Sequence, residues 1–201
     1  MTTQSSTTSK TVPFSFYEVV ANIFSRYPNP FSSHVQCTDY LEPLKIGPDG
    51  SVTCKILNLK TNRLPDFMSR YQNEIRLRYN DRLGKFMQCV EIIEEYKIDL
   101  AKKTVWQLSW NASSRNILRT HELVKYSDQT AAGAKLNEPT VLIGHGSEFI
   151  KPCYSNNQTL LEKQMVAHSP LHWTLANPIA RFATNKWLKQ ERKTTHGLCY
   201  F

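Results

Sequence analysis

The spacing of apolar residues predicts a helix near the start of the chain. Between residues 15 and 27, apolar side chains recur at intervals of three and four residues, which is the period of an amphipathic helix. Ser15 followed by Glu18 forms a capping box, in which each side chain satisfies an otherwise unpaired backbone N–H group. Pro28 and Pro30 end the helix, because proline lacks the N–H group that a helix requires.

The middle of the chain alternates between apolar and polar residues, which is the period of a β-strand. Strands are predicted at 34–43, 51–60, 86–98, 103–111, 116–126 and 158–167. The Asp49-Gly50 pair predicts a hairpin turn between the first two strands. In the fourth, Trp106 and Trp110 share a face that we interpret as facing the core. Residues 127–157 follow no regular period and are predicted to be a long insertion.

The end of the chain returns to helical spacing. The pattern begins at about residue 171, and Pro178 indicates that the regular helix starts near that proline. Lys186, Gln190 and Lys193 lie on one stripe of this helix, because intervals of four and three residues match its period. A helix, antiparallel strands and a long helix, in that order, predict an α+β domain in which a curved sheet wraps the C-terminal helix.

The composition restricts the class of protein. There are 25 lysine and arginine residues against 17 acidic ones, so the net charge is +8, and a pI of about 9.3 favours anionic partners. No stretch approaches the ~18 consecutive apolar residues of a membrane-spanning helix. Residues 1–12 lack the apolar run of a secretory signal and the basic cluster of a transit peptide, so no cleaved presequence is predicted.

Signatures of catalysis and of metal binding are missing from the sequence. None of the patterns GxSxG, GxxxxGK[ST], HExxH and GxGxxG occurs, and Gly144-His145-Gly146 alone does not indicate a catalytic triad. The five cysteines are scattered without the spacing of a zinc site, so neither a metal nor a cofactor is predicted. We therefore expect a protein that is not an enzyme.

Basic residues fall into groups that allow convergence on one anion. Arg26 lies at the end of the first helix, and the C-terminal helix carries its own basic stripe. Lys55, Lys60 and Arg63 lie in or just after the second strand. Each group alone is also typical of a solvated surface. Arginines between 66 and 85 alternate with apolar residues, which fits either a segment that touches an anionic membrane surface or a solvated connecting helix.

Two stretches resemble the PRELI domain, a family of intramitochondrial lipid-transfer proteins. They are RYPNPFSSHV at residues 26–35 and KTNRLP at residues 60–65, in the order and at the spacing of that family. The resemblance covers about 14–126 and 158–201. It implies a fold similar to START domains, with a curved antiparallel sheet of about seven strands and helices that enclose a cavity for one phospholipid. Because no linker is visible, residues 1–201 are predicted to form a single domain with the insertion at about 127–157.

The resemblance also implies which residues contact the lipid. The positions that match the family's headgroup site are Arg26, His34, Lys60, Arg63, Lys186, Gln190 and Lys193. The segment 64–80 matches the family's lid, with lid and membrane contacts at Leu64, Pro65, Phe67, Met68, Arg76 and Arg78. A buried phosphate needs such cations, because an unpaired charge in a low-dielectric cavity is very costly.

The implied function is transfer of phosphatidic acid between the outer and inner mitochondrial membranes. The resemblance implies a protein of the intermembrane space, peripheral to an anionic membrane, with a small helical twin-cysteine-motif protein as partner. Arg26, His34 and KTNRLP are more similar to the phosphatidic acid branch than to the phosphatidylserine branch, which stays the alternative. A basic nucleic-acid-binding module is the alternative from another class. The interpretation of Trp106 and Trp110 as core residues argues against it, since stacking on bases needs exposed aromatic side chains.

Overall fold

One antiparallel sheet and two helices make up the described part of the chain. The computed structural model describes residues 2–27, 32–61, 89–113, 115–129 and 158–198, apart from the side chains of residues 173 and 192–198. In chain order the elements are β1 (Thr2–Val12), α1 (Phe16–Ser25), β2 (Val35–Ile46), β3 (Val52–Thr61), β4 (Cys89–Asp99), β5 (Thr104–Asn111), β6 (Arg119–Asp128), β7 (Thr159–Ser169) and α2 (Trp173–Leu198). The seven strands are ordered β1-β7-β6-β5-β4-β3-β2. Neither described helix is both long and apolar enough to cross a membrane.

Six strands lie where the apolar alternation predicts them, but the sequence pattern does not predict β1. This strand pairs with β7 along its whole length, from Thr2 opposite Ser169 to Val12 opposite Thr159. Its less exposed side chains are mainly hydroxyl and amide groups, so no apolar alternation marks it. The remaining signal is its content of β-branched threonine, which favours strands.

Two local predictions are confirmed by hydrogen bonds and backbone angles. The Ser15 hydroxyl accepts from the Glu18 N–H at 3.3 Å, and the Glu18 carboxylate accepts from the Ser15 N–H at 2.7 Å, which completes the capping box of α1. In the turn between β2 and β3, Gly50 has a φ of 73°, in the left-handed region that glycine tolerates best. The last residue of α1 is Ser25, and Arg26 is its C-cap.

The start of α2 corrects the prediction that the regular helix begins near Pro178. The helix begins at Trp173, and Pro178 lies inside it. The carbonyl of His172 accepts from the N–H of Leu175 at 3.0 Å, so the first turn is fixed before the proline is reached. Ile179 is buried just after the proline, and such packing offsets the hydrogen bond that proline cannot donate.

α1 covers an apolar core on the inner face of the sheet. Phe16, Val19 and Ile23 are its buried side chains. They belong to one cluster with inward-facing residues of the strands, which are Cys54, Ile56, Tyr96, Ile98, Val105, Val124, Tyr126 and Leu161. Burying each large apolar side chain stabilises the fold by about 1.5–3 kcal/mol. We call this cluster, together with Val12, the apolar core.

The inner face of the sheet becomes polar next to the apolar core. Two neighbouring rows of cross-strand pairs carry Glu94, Gln107, Ser109, Glu122 and Lys163, which together we call the polar belt. All of them except the half-buried Glu122 are buried. Buried polar groups are costly unless they have hydrogen-bonding or charged partners. The polar belt therefore marks a region where the protein must supply such partners.

The face of β5 that the sequence assigns to the core is the outer face of the sheet. Trp106 is 42% exposed, and Trp110 on the same side of the strand is half-buried, whereas Val105 is fully buried. The prediction that the two tryptophans face the core is therefore wrong. The inward set includes Gln107 and Ser109, so the usual rule that the more apolar side of a strand points inward is reversed here.

Candidate functional site

A cavity of about 470 Å³ lies between the polar belt, the end of α1 and the helix α2. Five of the residues predicted to bind the headgroup line it, namely Arg26, His34, Lys60, Lys186 and Gln190. They come from α1, the approach to β2, β3 and α2, so the fold brings together positions that are far apart in sequence. The volume is within the range of about 300–1,000 Å³ that is typical of small-molecule sites.

The other predicted site residues lie wholly or partly outside the described residues. Outside are Arg63 of the headgroup set and the lid set of Leu64, Pro65, Phe67, Met68, Arg76 and Arg78. Lys193 lies in α2, but its side chain is outside the described part. The structure describes the insertion predicted at 127–157 only as far as residue 129. Residues 127 and 128 belong to β6, which continues to Asp128.

Arg26 is held at the cavity wall by buried partners. Its guanidinium Nη2 pairs with Oε2 of Glu94 and donates to the hydroxyl of Tyr96 at 2.7 Å. The guanidinium also lies 4.9 Å from the ring centroid of Tyr27, a cation–π distance. Burial alone would lower the pKa of Arg26, but Glu94 and the neighbouring tyrosines together outweigh that effect and the pKa is raised. The side chain is therefore a permanent cation inside the protein.

The pairing of β2 with β3 places His34 beside Lys60. Val35 lies opposite Lys60 in the register, and the Thr61 N–H donates to the His34 carbonyl at 2.7 Å. The Lys60 ammonium lies 3.4 Å from Oε1 of Glu94. His34 belongs to the first motif and Lys60 to the second. The strand register therefore joins the two sequence motifs at one wall of the cavity.

Glu94 is the shared counter-ion of Arg26 and Lys60, and the sequence analysis missed it. Its side chain is 3% exposed, and one oxygen faces each cation. Tyr96 adds a hydrogen bond from its hydroxyl to Oε2 at 2.7 Å. Burial alone would raise the pKa of Glu94, but Arg26 and Lys60 outweigh it and lower the pKa to about 2. The carboxylate is therefore ionised at neutral pH.

A second group of ion pairs lines the cavity and fixes α2 to the sheet. The ammonium of Lys163 lies 2.9 Å from Oε2 of Glu191 in α2, and Lys10 of β1 pairs with the other oxygen. Burial would lower the pKa of Lys163, but Glu122 and other neighbours raise it. The Trp187 Nε1–H donates to Oε1 of Glu122 at 2.9 Å. These contacts tie α2 to three strands of the sheet.

One face of α2 presents Lys186 and Gln190 to the cavity, as the four-residue spacing predicts. Burial lowers the pKa of Lys186, because the protein solvates its charge less well than water does. The Lys186 ammonium lies 5.9 Å from the ring centroid of Phe182. An anion bound nearby would restore the solvation that the ammonium has lost, so Lys186 is suited to binding one.

An apolar pocket of about 230 Å³ adjoins the charged cavity. The two share walls that include His34, Lys60 and Lys186. The rest of the smaller pocket is largely apolar, with walls that include Val90, Ile92, Ile117, Leu118, Met165, Ile179 and Phe182. Charged side chains and an apolar pocket therefore lie next to each other. Among the residues that the structure describes, no group of three or more histidine, cysteine or acidic side chains could hold a metal ion.

Lys55 does not join the site, although the sequence groups it with Lys60. It lies on the outer face of β3 and pairs with Glu42 at 2.9 Å, because alternate residues of a strand point to opposite faces. Lys163 was missed, but a signal for it exists in the sequence. It shares one side of its strand with Leu161 and other apolar residues, and a lone charge on an apolar face indicates a buried polar site.

The sheet, the long second helix and the internal cavity define the class of fold. The Zhui aromatase/cyclase from Streptomyces sp. R1128 has a similar structure, with a TM-score of 0.52 and 9% sequence identity over 98% of this chain and 92% of that chain. At this identity the likeness concerns the fold alone. The predicted START-like α+β class, with seven antiparallel strands and a long C-terminal helix, is confirmed.

Sequence comparison then identifies the family. The PRELI-like family matches residues 17–138, and this chain belongs to that family. PRELI domain-containing protein 1, mitochondrial, of Mus musculus is 28% identical over 114 residues, which are 56% of this chain and 46% of the mouse protein. The Homo sapiens protein of the same name is 27% identical over 114 residues, with the same coverage. The chain spans about half the length of the curated relatives it matches.

Proposed function

We propose that this protein is a phospholipid carrier that binds phosphatidic acid in the cavity and transfers it between membranes without covalent chemistry. The observation that carries the proposal is that a cavity lined by cations, led by the buried Arg26 and the half-buried Lys60, shares walls with an apolar pocket. An anionic phospholipid has the same two parts, a charged headgroup and hydrocarbon chains. Membership of the PRELI-like family supports the same reading.

The cations of the cavity suit a phosphate monoester. Such a group carries a charge of about −1.5 to −2 at neutral pH. Arg26 offers a planar fork that can donate two parallel hydrogen bonds to one phosphate, and Lys60 and Lys186 add compact positive charge. Arg26 is buried, so its charge-assisted hydrogen bonds are stronger than they would be at the surface. His34 and Gln190 are further polar contacts in the proposed site.

The acyl chains require an apolar environment, whereas the phosphate requires charged partners. At ~0.8 kcal/mol for each methylene, exposing two chains of ~16 carbons to water would cost about 25 kcal/mol. We therefore propose that the chains enter the apolar pocket and that the segment 64–80, which lies outside the described residues, closes over them as a lid. In this proposal Arg76 and Arg78 contact the anionic membrane while the lid is open.

Phosphatidic acid is preferred over phosphatidylserine on the strength of the two motifs. Arg26 and His34 in the first motif and KTNRLP in the second are more similar to the phosphatidic acid branch. Phosphatidylserine carries a phosphate diester with an ammonium and a carboxylate, so it would need a different set of partners in the cavity. It remains the alternative cargo, and a direct transfer assay separates the two.

The proposed location is the mitochondrial intermembrane space, with peripheral binding to an anionic membrane. Support comes from the relatives, which are named mitochondrial, and from the net charge of +8. The proposed partner is a small helical protein with twin-cysteine motifs. The outer face of the sheet, where Trp106, Leu108 and Leu123 are exposed, offers an apolar surface to a partner of that kind.

Exposure of Trp106 removes the sequence argument against a nucleic-acid-binding module, so that alternative needs a test. Two observations still favour lipid. The cations that converge do so inside a cavity rather than on an open platform. On the outer face, Lys125 lies 5.5 Å from the Trp106 indole ring and pairs with Glu162 at 3.3 Å. An acidic neighbour weakens any contact of this lysine with a nucleic-acid phosphate.

A vesicle assay tests the proposed function. The protein should accelerate transfer of fluorescent phosphatidic acid from donor to acceptor vesicles. Arg26→Ala should reduce the transfer rate at least about tenfold, because the phosphate loses its bidentate donor. Arg119→Ala is the matched control, since Arg119 is exposed on β6 and does not line the cavity. Its transfer rate should equal that of the unchanged protein.

Three outcomes would contradict the proposal. Equal loss of transfer in Arg26→Ala and Arg119→Ala would mean that Arg26 acts as a surface contact. Faster transfer of phosphatidylserine than of phosphatidic acid would select the alternative cargo. Tight binding of a single-stranded oligonucleotide without any lipid transfer would select the nucleic-acid alternative. Native mass spectrometry of the purified protein would identify any lipid that it retains.

A further inference from the structure

The cavity proposed to bind an anion already contains carboxylates. Among its described lining side chains, the four cations Arg26, Lys60, Lys163 and Lys186 face three carboxylates, Glu94, Glu122 and Glu191. This leaves an excess of only one positive charge. A bound phosphate must therefore enter a site whose cations are already largely neutralised from within.

Glu94 differs from the other two carboxylates in what it contacts. Glu191 pairs with Lys163 and Lys10, and Glu122 accepts from Trp187, so both hold α2 to the sheet. The partners of Glu94 are Arg26, Lys60 and Tyr96 instead. Two of these three are the cations that the family motifs supply. Glu94 thus occupies the charged contacts that a lipid phosphate would use.

We propose that Glu94 is the exchangeable counter-ion of the headgroup site: it neutralises Arg26 and Lys60 in the empty cavity, and the phosphate of an incoming lipid competes with it for these cations. The inference rests on the proposed function, because it assigns Glu94 a role in loading and release at the same site. It makes Glu94 a residue that limits affinity rather than one that binds the lipid.

The empty cavity needs an anion of its own. Without an anion, the buried Arg26 and the half-buried Lys60 would repel each other and lose part of their hydration, and both effects are costly away from water. Glu94 removes that cost when no lipid is bound. A carrier that must release its cargo needs such an empty state, since otherwise the bound lipid would be the only means of neutralising the site.

A phosphate bound in the cavity is repelled by Glu94. A phosphate near Arg26 and Lys60 also lies near the ionised carboxylate of Glu94, so it is attracted by two charges and repelled by one. The repulsion weakens binding and speeds release. Replacing Glu94 by a neutral side chain of the same shape should therefore strengthen binding, whereas loss of a purely structural contact would weaken it.

The test measures binding of a soluble short-chain phosphatidic acid to the full chain carrying Glu94→Gln. We expect the melting temperature of the empty protein to fall and the affinity for the probe to rise at least about tenfold. The dissociation rate into acceptor vesicles should fall to a similar degree. A diacylglycerol with the same chains lacks the phosphate, and its affinity should not change.

Asp128→Asn is the matched control. Asp128 also pairs with a lysine, Lys103 at 2.6 Å, and its side chain is 6% exposed, but it does not line the cavity. The control should lower the melting temperature and leave the affinity for the probe unchanged. If Asp128→Asn tightened binding as much as Glu94→Gln, the effect would be one of net charge, and the proposal would fail.

The results separate the inference from the proposed function. If the unchanged protein does not bind the probe, the proposed function fails. If it binds the probe and Glu94→Gln binds equally or more weakly, only the inference fails, and Glu94 then merely positions Arg26. If Glu94→Gln does not fold, Glu94→Asp takes its place. This variant keeps the carboxylate but shortens the side chain by one methylene, which moves the charge about 1.5 Å away from Arg26 and Lys60. That variant should bind the probe at least about threefold more tightly, and unchanged or weaker binding would overturn the inference.

Discussion

The apolar core and the polar belt lie side by side on the same sheet face, and they meet in one row of cross-strand pairs. Under α1 the inward side chains are apolar, as Val105 and Leu161 show. The next row holds Gln107 and Lys163 as well as the apolar Val124, and the row after that holds Glu94. The backbone pairing is equally regular in both places. Burial is nearly as complete in the polar belt as in the apolar core.

Burial alone therefore does not identify a core. An apolar row gains stability simply by leaving water, in proportion to the area it buries. A polar row gains nothing in this way and must be supplied with partners, either from the protein or from a ligand. The polar belt has ion pairs with Arg26 at the end of α1 and with Glu191 of α2, and it faces an open cavity, so it is the part suited to binding.

The largest expected effect comes from breaking the apolar core. Phe16→Ala should lower the free energy of unfolding by about 3–5 kcal/mol, because it leaves a cavity in a packed cluster. Urea denaturation measures this loss. The folded fraction should keep its affinity for short-chain phosphatidic acid, since Phe16 does not line the charged cavity. A loss below about 1 kcal/mol would show that α1 is not essential to the apolar core.

Acid should weaken the polar belt specifically. The pKa of Glu94 is lowered from 4.5 to about 2, so its stabilising effect is complete above the unfolded value and is lost as the pH falls through about 2. The difference corresponds to about 3 kcal/mol. The gap in unfolding free energy between the unchanged protein and Glu94→Gln should therefore narrow by that amount between pH 5 and pH 2.

A constant gap across this pH range would contradict the assignment of Glu94 as an ionised partner of Arg26. The comparison with Glu94→Gln is necessary because other carboxylates titrate in the same range, among them Glu42, whose pKa is lowered to about 2 by hydrogen bonds from Lys55 and Lys45. Those groups are present in both proteins, so they cancel in the difference.

The smallest effect is expected on the outer face. Trp106→Ser should change the free energy of unfolding by less than about 1 kcal/mol, because the side chain is substantially exposed. Its neighbour on the opposite face gives the control, since Val105→Ala should cost about 2 kcal/mol in the apolar core. Thermal or urea unfolding of the two variants measures the contrast. The reverse order would restore the sequence prediction that Trp106 faces the core.

Several features could be predicted from the sequence because they depend on local chemistry. The capping box at Ser15 and Glu18 and the turn at Gly50 are determined by residues a few positions apart. The spacing of Lys186 and Gln190 likewise fixes their common helix face. The family motifs located Arg26 at the cavity, which no periodicity could have done.

Other features depend on contacts between distant residues, and the sequence pattern missed or reversed them. The partners of Glu94 lie on α1 and β3, so its importance becomes visible only when the strands are paired. The orientation of Trp106 was misjudged because the apolar side of a strand usually faces inward, and a cavity lined by Gln107 and Ser109 reverses that rule. The sequence pattern did not predict β1, because pairing with β7 rather than an apolar face holds this strand in place.

The position of β1 has a consequence for the order in which the protein can fold. Its only strand neighbour in the described sheet is β7, and Lys10 in β1 pairs with Glu191 beyond it in α2. When the chain leaves a ribosome or a membrane pore with its N-terminus first, β1 therefore stays unpaired until residues 159–169 have also emerged. Contacts over such long sequence separations are slow to form, so closure of this edge is expected to be a late step.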